Sequence, residues 1–259
     1  MNILLKLESI SKNYSEEAGL NINILEDINF EIGVAETGTI TSILAPFGSG
    51  KSTLLKIISG LIEPSKGKIF YNDAERVKKI PYIPEKPSSF PWLNVRENIE
   101  LALGLSEDKK FNLNQIISLV GLTGYEEHFP HNKSTGFRFR ISLARALALN
   151  PLLILIDDAF KLMKKESKLE IYDLLTDLSS NKKQSFVLAT TNLIETVRLS
   201  DKIILMSKKP GKIIKEIKIN KDDKPELNNH KSEIFTTIKS EIETSFQAVE
   251  SLTMINYSV

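Results

Sequence analysis

One short stretch restricts this chain more than any other. Residues 39–44 are rich in β-branched side chains and read as a buried strand. They run into Ala45-Pro46-Phe47-Gly48-Ser49-Gly50-Lys51-Ser52-Thr53, and a helical stretch follows over 53–59. Strand, tight glycine loop and apolar helix together form a phosphate-binding loop. The glycines matter because backbone N–H groups must approach phosphate oxygens closely. Those N–H groups and the N-terminus of the next helix favour an anion. Lys51 would reach the β- and γ-phosphates, and the Ser52 hydroxyl would ligate Mg²⁺. Gly48, Ser49, Gly50, Lys51, Ser52 and Thr53 are therefore the candidate nucleotide-binding residues. The usual first glycine is Ala45 here, which costs little if its φ is negative and strains the loop if φ is positive. The competing reading is an ordinary Gly-Ser-Gly turn.

A second segment strengthens the first. Residues 151–158, Pro-Leu-Leu-Ile-Leu-Ile-Asp-Asp, read as a buried strand ending in two carboxylates. Taken alone such an end is common. Beside Lys51 it supplies the acidic half of a phosphoryl-transfer site. Asp157 would hold Mg²⁺ through water, and Asp158 would orient or deprotonate a water. ATP or GTP is the expected ligand. No guanine-reading motif is found, since Asn132-Lys133-Ser134-Thr135 lacks the required acid.

Elsewhere strands are expected at 4–7, 28–32, 68–71, 153–156, 185–189 and 203–206. Helices are expected at 113–120, 137–149 and 165–179. This alternation predicts an α/β fold with a largely parallel sheet. Residues 91–145 contain no convincing strand and read as a helical insertion. After Asn220 a polar break, Lys221-Asp222-Asp223-Lys224-Pro225, precedes a helical stripe of Ile234, Ile238, Ile242, Phe246 and Val249. That stripe either packs on the parent domain or docks another chain.

Composition removes several function classes. The 259 residues contain no cysteine, so disulfides, cysteine-ligated zinc and thiol catalysis are excluded. The three histidines, His128, His131 and His230, lack ligand spacing. A formal net charge of +1 gives no case for a dedicated nucleic-acid binder. The longest unbroken apolar run, 152–156, is far short of the ~20 residues that cross a bilayer. The opening segment does not read as a secretory signal. A cytoplasmic product is expected, carried to any membrane by a partner.

Longer ordered stretches give the chain a family likeness. Residues 87–98 (Pro-Ser-Ser-Phe-Pro-Trp-Leu-Asn-Val-Arg-Glu-Asn), 129–147 around Phe129-Pro130-His131-Asn132 and Arg140-Ile141-Ser142-Leu143-Ala144-Arg145-Ala146-Leu147, and 200–213 resemble the nucleotide-binding subunit of ATP-binding cassette (ABC) transporters. The resemblance spans about residues 4–220 and points to the nitrate/sulfonate/taurine importers. It implies a P-loop NTPase (RecA-like) core over 1–90 and 146–220, with an antiparallel β subdomain. It also implies a helical subdomain over 91–145 and a C-terminal extension over 221–259. It further implies Mg-ATP as cofactor, a membrane-spanning permease subunit, and a second cassette in a homo- or heterodimer. The chain would then sit on the cytoplasmic face of the membrane through its partners. Tyr14 would stack on adenine, against the alternative of a buried strand-end tyrosine. Ser134 and Gly136 would be the surviving part of the signature that faces nucleotide across the dimer.

The departures fall on hydrolysis. The family's Q-loop glutamine is Glu85, its catalytic glutamate is Asp158, and its switch histidine is Thr191. Its signature reads Lys133-Ser134-Thr135-Gly136-Phe137, and its D-loop aspartate is Lys164. Asp158 is one methylene shorter than glutamate, and a misplacement of ~1 Å can cost ~10²-fold in rate. Thr191 cannot present a cationic imidazole. Glu85 adds charge that could ligate Mg²⁺ but repels phosphate. Ser134 can cap the helix that Phe137 begins. Expected, then, is an importer subunit with weak or partner-dependent hydrolysis; the alternative is a non-hydrolysing ATP-binding regulator or scaffold. Trp92 either faces a membrane partner or packs inside the helical insertion. Lys161, Lys164, Lys165 and Lys168 read as a mostly solvated basic face, with Lys164 at the dimer interface.

Overall fold

The computed structural model describes residues 2–15, 21–34, 38–72, 80–106, 111–131, 133–220, 223–224, 229 and 231–248. Asn132, His230, Val249 and most of the polar break lie outside them.

Two sheets organise the chain. The first is antiparallel, in the order β2-β1-β4, built from β1 (Asn2–Ser15), β2 (Asn21–Val34) and β4 (Lys66–Tyr71). The second has the order β5-β6-β7-β3-β8-β9. Its strands are β3 (Ile40–Leu44), β5 (Tyr82–Ile83), β6 (Leu153–Asp157), β7 (Ser185–Thr190), β8 (Lys202–Met206) and β9 (Ile213–Lys218). All neighbours in it are parallel except β9, which runs antiparallel on β8 at the edge. The strands β3, β6 and β7 are buried at every position, as near-continuous apolar runs covered on both faces require.

Helices fill both sides. α1 (Lys51–Ile58) packs with the antiparallel sheet around Leu54, Leu55, Ile57 and Ile58. On the other side lie α2 (Val95–Gly104), α3 (Leu113–Leu119), α4 (Thr135–Ala148) and α5 (Lys165–Lys182). The described residues between 91 and 145 hold no strand, as expected. α2 was not anticipated, although Asn94 and Glu97 form a capping box. α6 (Leu193–Leu199), β5 and β9 were also missed. α7 (Glu233–Gln247) carries the expected stripe, and Ile242 and Phe246 are buried against α6, β8 and β9. Phe235, next to the stripe, is buried with them. The stripe packs on its own domain.

Parallel pairing fixes where chemistry can gather. Leu44 pairs Thr190, Asp157 pairs Ala189, and Ile83 pairs Ile156. The carboxyl ends of β3, β5, β6 and β7 therefore emerge side by side, where open α/β sheets bind ligands.

Candidate functional site

The loop after β3 has the shape its glycines demand. Gly48 and Gly50 adopt φ of 77° and 93°, conformations only glycine holds without strain. A Cβ on Gly50 would also meet the Ile24 and Leu25 side chains at 2.8 Å. Gly50 is the N-cap of α1 and offers no side-chain cap, so the first helical N–H groups remain available to an anion. Ala45 is fully buried and is not among the residues of positive φ. The lost glycine therefore costs the loop little. Lys51 is buried and donates to the carbonyls of Ala45 and Pro46, each at 3.0 Å. Burial pushes its ammonium pKa down, while Asp158 and Asp157 oppose that shift. Ser52 is exposed, Thr53 is half-buried, and the buried Ser49 hydroxyl has no partner.

Asp157 closes the site from β6. One carboxylate oxygen accepts from the Tyr82 hydroxyl at 2.7 Å. The other is buried and has no hydrogen-bond partner among the described residues. An orphaned carboxylate oxygen beside a phosphate loop is a high-energy arrangement that a cation would relieve. The nearby donors are oxygens only, and among the described residues no cluster of three metal-binding side chains exists. Few protein oxygens with remaining water is the set that suits Mg²⁺. Asp158 holds a left-handed φ of 46° and donates its N–H to the Ala189 carbonyl at 2.8 Å. Burial pushes its carboxyl pKa up, against the pull of Lys51 and Lys161. Tyr82 was not anticipated. The signal available was Pro81-Tyr82-Ile83-Pro84, a β-prone pair bracketed by prolines.

The rim comes from two other loops. Glu85, after β5, forms an ion pair with Lys161 at 3.7 Å. The Lys161 ammonium also stands 5.5 Å from the centre of the Phe47 ring. Thr191, after β7, is half-buried. Its neighbour Thr190 donates to Glu195 at 2.9 Å and accepts from the Asn192 N–H at 3.0 Å. Glu195 is buried and paired with Lys168 at 3.5 Å. Lys161, Lys164 and Lys165 are exposed, as expected of a mostly solvated face, and Lys168 is the exception. It lies at helical spacing with Ile171, Tyr172 and Leu175 on the buried side of α5, and that spacing was the overlooked signal.

The remaining candidates sit apart. Ser134 caps α4 by accepting from the Phe137 N–H at 3.2 Å, so the helix starts at Thr135 and not at Phe137. Gly136 packs on α5, where an added Cβ would lie 3.2 Å from the Ser167 side chain. Lys164 is exposed at the start of α5. Tyr14 is 43% exposed with the Lys12 ammonium 5.2 Å from its ring centre, which overturns the buried-tyrosine alternative. Trp92 is 69% exposed and touches Phe90, so it does not pack inside the insertion. The structure brings the loop residues, Asp157, Asp158, Glu85 and Thr191 to one sheet end. It leaves Ser134 and Gly136 on the helical layer.

Comparison with known proteins agrees with this geometry. Residues 25–161 match the family described as ABC transporter. The "Aliphatic sulfonates import ATP-binding protein SsuB" of Bacillus cereus is 35% identical over 93% of this chain and 95% of its own length. The "Uncharacterized ABC transporter ATP-binding protein YtlC" of Bacillus subtilis is 37% identical over 73% of this chain and 74% of its own. Among solved structures, the dimeric ATP-binding cassette MJ0796 bound to ADP and Pi superposes with a TM-score of 0.70 at 26% identity. That match covers 84% of this chain and 99% of that one.

Proposed function

This chain belongs to the ABC transporter family, and from that premise we propose that it is the ATP-binding subunit of an importer of the sulfonate-transporting kind. It couples ATP binding to the movement of a membrane-spanning permease. The relatives named for import support this reading over a free-standing regulator. The single observation that carries it is the buried, unpartnered oxygen of Asp157, on the strand next but one to a glycine loop whose lysine feels the same carboxylate.

The residues would divide the work as follows. The N–H groups from Gly48 to Thr53 hold the phosphates, and Lys51 leaves the Ala45 and Pro46 carbonyls for the outer phosphates. Asp157 and Ser52 would hold the divalent ion, which would supply positive charge to offset that of the phosphates. Tyr82 fixes the rotamer of Asp157 by donating to its second oxygen. Asp158 would orient the attacking water or take its proton. The short side chain there would make the step slow. Tyr14 is exposed, as stacking on a base requires. Ser134 and Gly136 face the nucleotide of a second cassette, with residues 91–145 as the helical subdomain that presents them. No helix among the described residues is long and apolar enough to cross a membrane, and attachment at the cytoplasmic face would come from the permease.

Calorimetry tests the reading. The chain should bind Mg-ATP, and Lys51→Ala should weaken binding by about 10–100-fold, the worth of a charge-assisted contact. A wild-type chain that binds no Mg-ATP refutes the proposal, and an unchanged Lys51→Ala affinity places the nucleotide elsewhere.

A further inference from the structure

Glu85 and Lys161 are the two opposite charges on the rim of the phosphate loop, and nothing in the loop itself requires them. Glu85 follows β5 and Lys161 follows β6. Those strands are parallel neighbours, so both loops leave the sheet at the same end. There the Lys161 ammonium lies 3.7 Å from the Glu85 carboxylate. It also lies 5.5 Å from the ring centre of Phe47, a residue of the phosphate loop. Glu85 holds the ammonium there only weakly. Both side chains are more than 40% exposed, and exposed pairs are worth little. The lysine can leave its carboxylate easily.

We propose that Lys161 is a phosphate-binding residue of this site, held on Glu85 and Phe47 until a nucleoside triphosphate binds and then transferred to its outermost phosphate. The inference rests on the nucleotide-site reading above and adds selectivity for triphosphate over diphosphate. The glycine-loop amides and Lys51 address the phosphates from the α1 side. Lys161 approaches from the loop that follows β6 and Asp158, where a third phosphate would end. It supplies there a cation that Thr191 cannot. Glu85 then has a defined role, as the counter-charge that keeps the long lysine side chain over the loop.

The test is calorimetry of Mg-ATP and Mg-ADP with the wild-type chain, Lys161→Ala, Lys161→Arg and Glu85→Gln, with thermal melting to confirm that each variant folds. Lys161→Ala should weaken Mg-ATP about tenfold and Mg-ADP less than about threefold, since only the triphosphate reaches the lost charge. Lys161→Arg should keep most of the ATP affinity. Glu85→Gln should tighten Mg-ATP, because it frees the lysine and removes a repulsive charge. A Lys161→Ala variant that weakens both nucleotides equally, or neither, overturns the inference. If the wild type binds Mg-ATP and loses it in Lys51→Ala but not in Lys161→Ala, this inference alone fails. If the wild type binds no Mg-ATP, the nucleotide-site reading fails and takes the inference with it.

Discussion

Replacing Lys168 with methionine should make the stability of this chain depend steeply on pH. Lys168 on α5 and Glu195 on α6 are 3.5 Å apart with side chains only 8% and 6% exposed. At an effective dielectric of about 20, unit charges at that distance attract by about 5 kcal/mol. Removing one partner of a buried pair commonly costs about 3–5 kcal/mol. Glu195 has an escape, because it can take up a proton. Burial already pushes its carboxyl pKa up, while a neighbouring hydroxyl and the Lys168 charge hold it down. Without Lys168 it rises further. Neutralising a carboxyl of ordinary pKa near 4.5 costs about 3.4 kcal/mol at pH 7 and about 0.7 at pH 5, at 1.36 kcal/mol per unit. Protonation therefore caps the loss at those values.

The sign follows from linkage. A carboxyl whose pKa is raised in the folded state binds protons on folding. Its stabilising contribution is complete below the unfolded pKa and disappears as pH rises through the folded one. The gap between Lys168→Met and wild type should therefore widen from about pH 5 to about pH 8. Urea unfolding midpoints across that range measure it. The double variant Lys168→Met with Glu195→Gln, which carries no buried charge at the pair, should lose the slope. A deficit of equal size at both ends of the range refutes the reasoning, as does a slope that persists in the double variant.

Two further predictions concern the site. Tyr82→Phe removes the only hydrogen-bond donor to the Asp157 carboxylate among the described residues. It should lower stability by about 1–3 kcal/mol in urea unfolding; an unchanged midpoint would mean that water replaces the hydroxyl at no loss. The wild-type chain alone should hydrolyse ATP well below the ~1–10³ s⁻¹ of common enzymes. Asp158→Glu with Thr191→His should raise phosphate release more than either change alone, since such groups act as a unit. A fast wild-type rate abolished by Asp158→Ala would show that aspartate suffices.

The legible parts of the molecule are those built from contiguous residues. A strand, a loop of required glycines and a helix follow one another from Ile40 to Ile58, so residue order alone fixes the loop proposed to cradle phosphate. Asp157 was legible because five buried apolar-to-acidic positions end there. The strand β5 was not, because two residues are too few to show alternation. In β9, Lys215 and Glu216 interrupt the pattern, and the strand sits exposed at the sheet edge. Lys168 is the exception in a basic run whose other three lysines are exposed. A lysine in a basic run looks solvated until its partner, Glu195 on another helix, is known.

The same distinction separates the two kinds of departure in the site. Asp158 and Thr191 are losses that each position shows by itself, since reach and charge belong to a single side chain. Glu85 and Lys161 acquire meaning only as a pair, 76 residues apart in the chain and joined across parallel strands. Read alone, Glu85 makes the site hostile to phosphate, because with Asp157 and Asp158 it would give three carboxylates against Lys51. Lys161 restores one positive charge beside that carboxylate, and does so on the loop that follows Asp158. A carboxylate that adds repulsion and a lysine that offsets it within 4 Å are what the proposed attraction for nucleotide needs. The charges at this sheet end thus fit the proposed binding of nucleotide, while the proposed hydrolysis would rest on the geometry of a shorter acid.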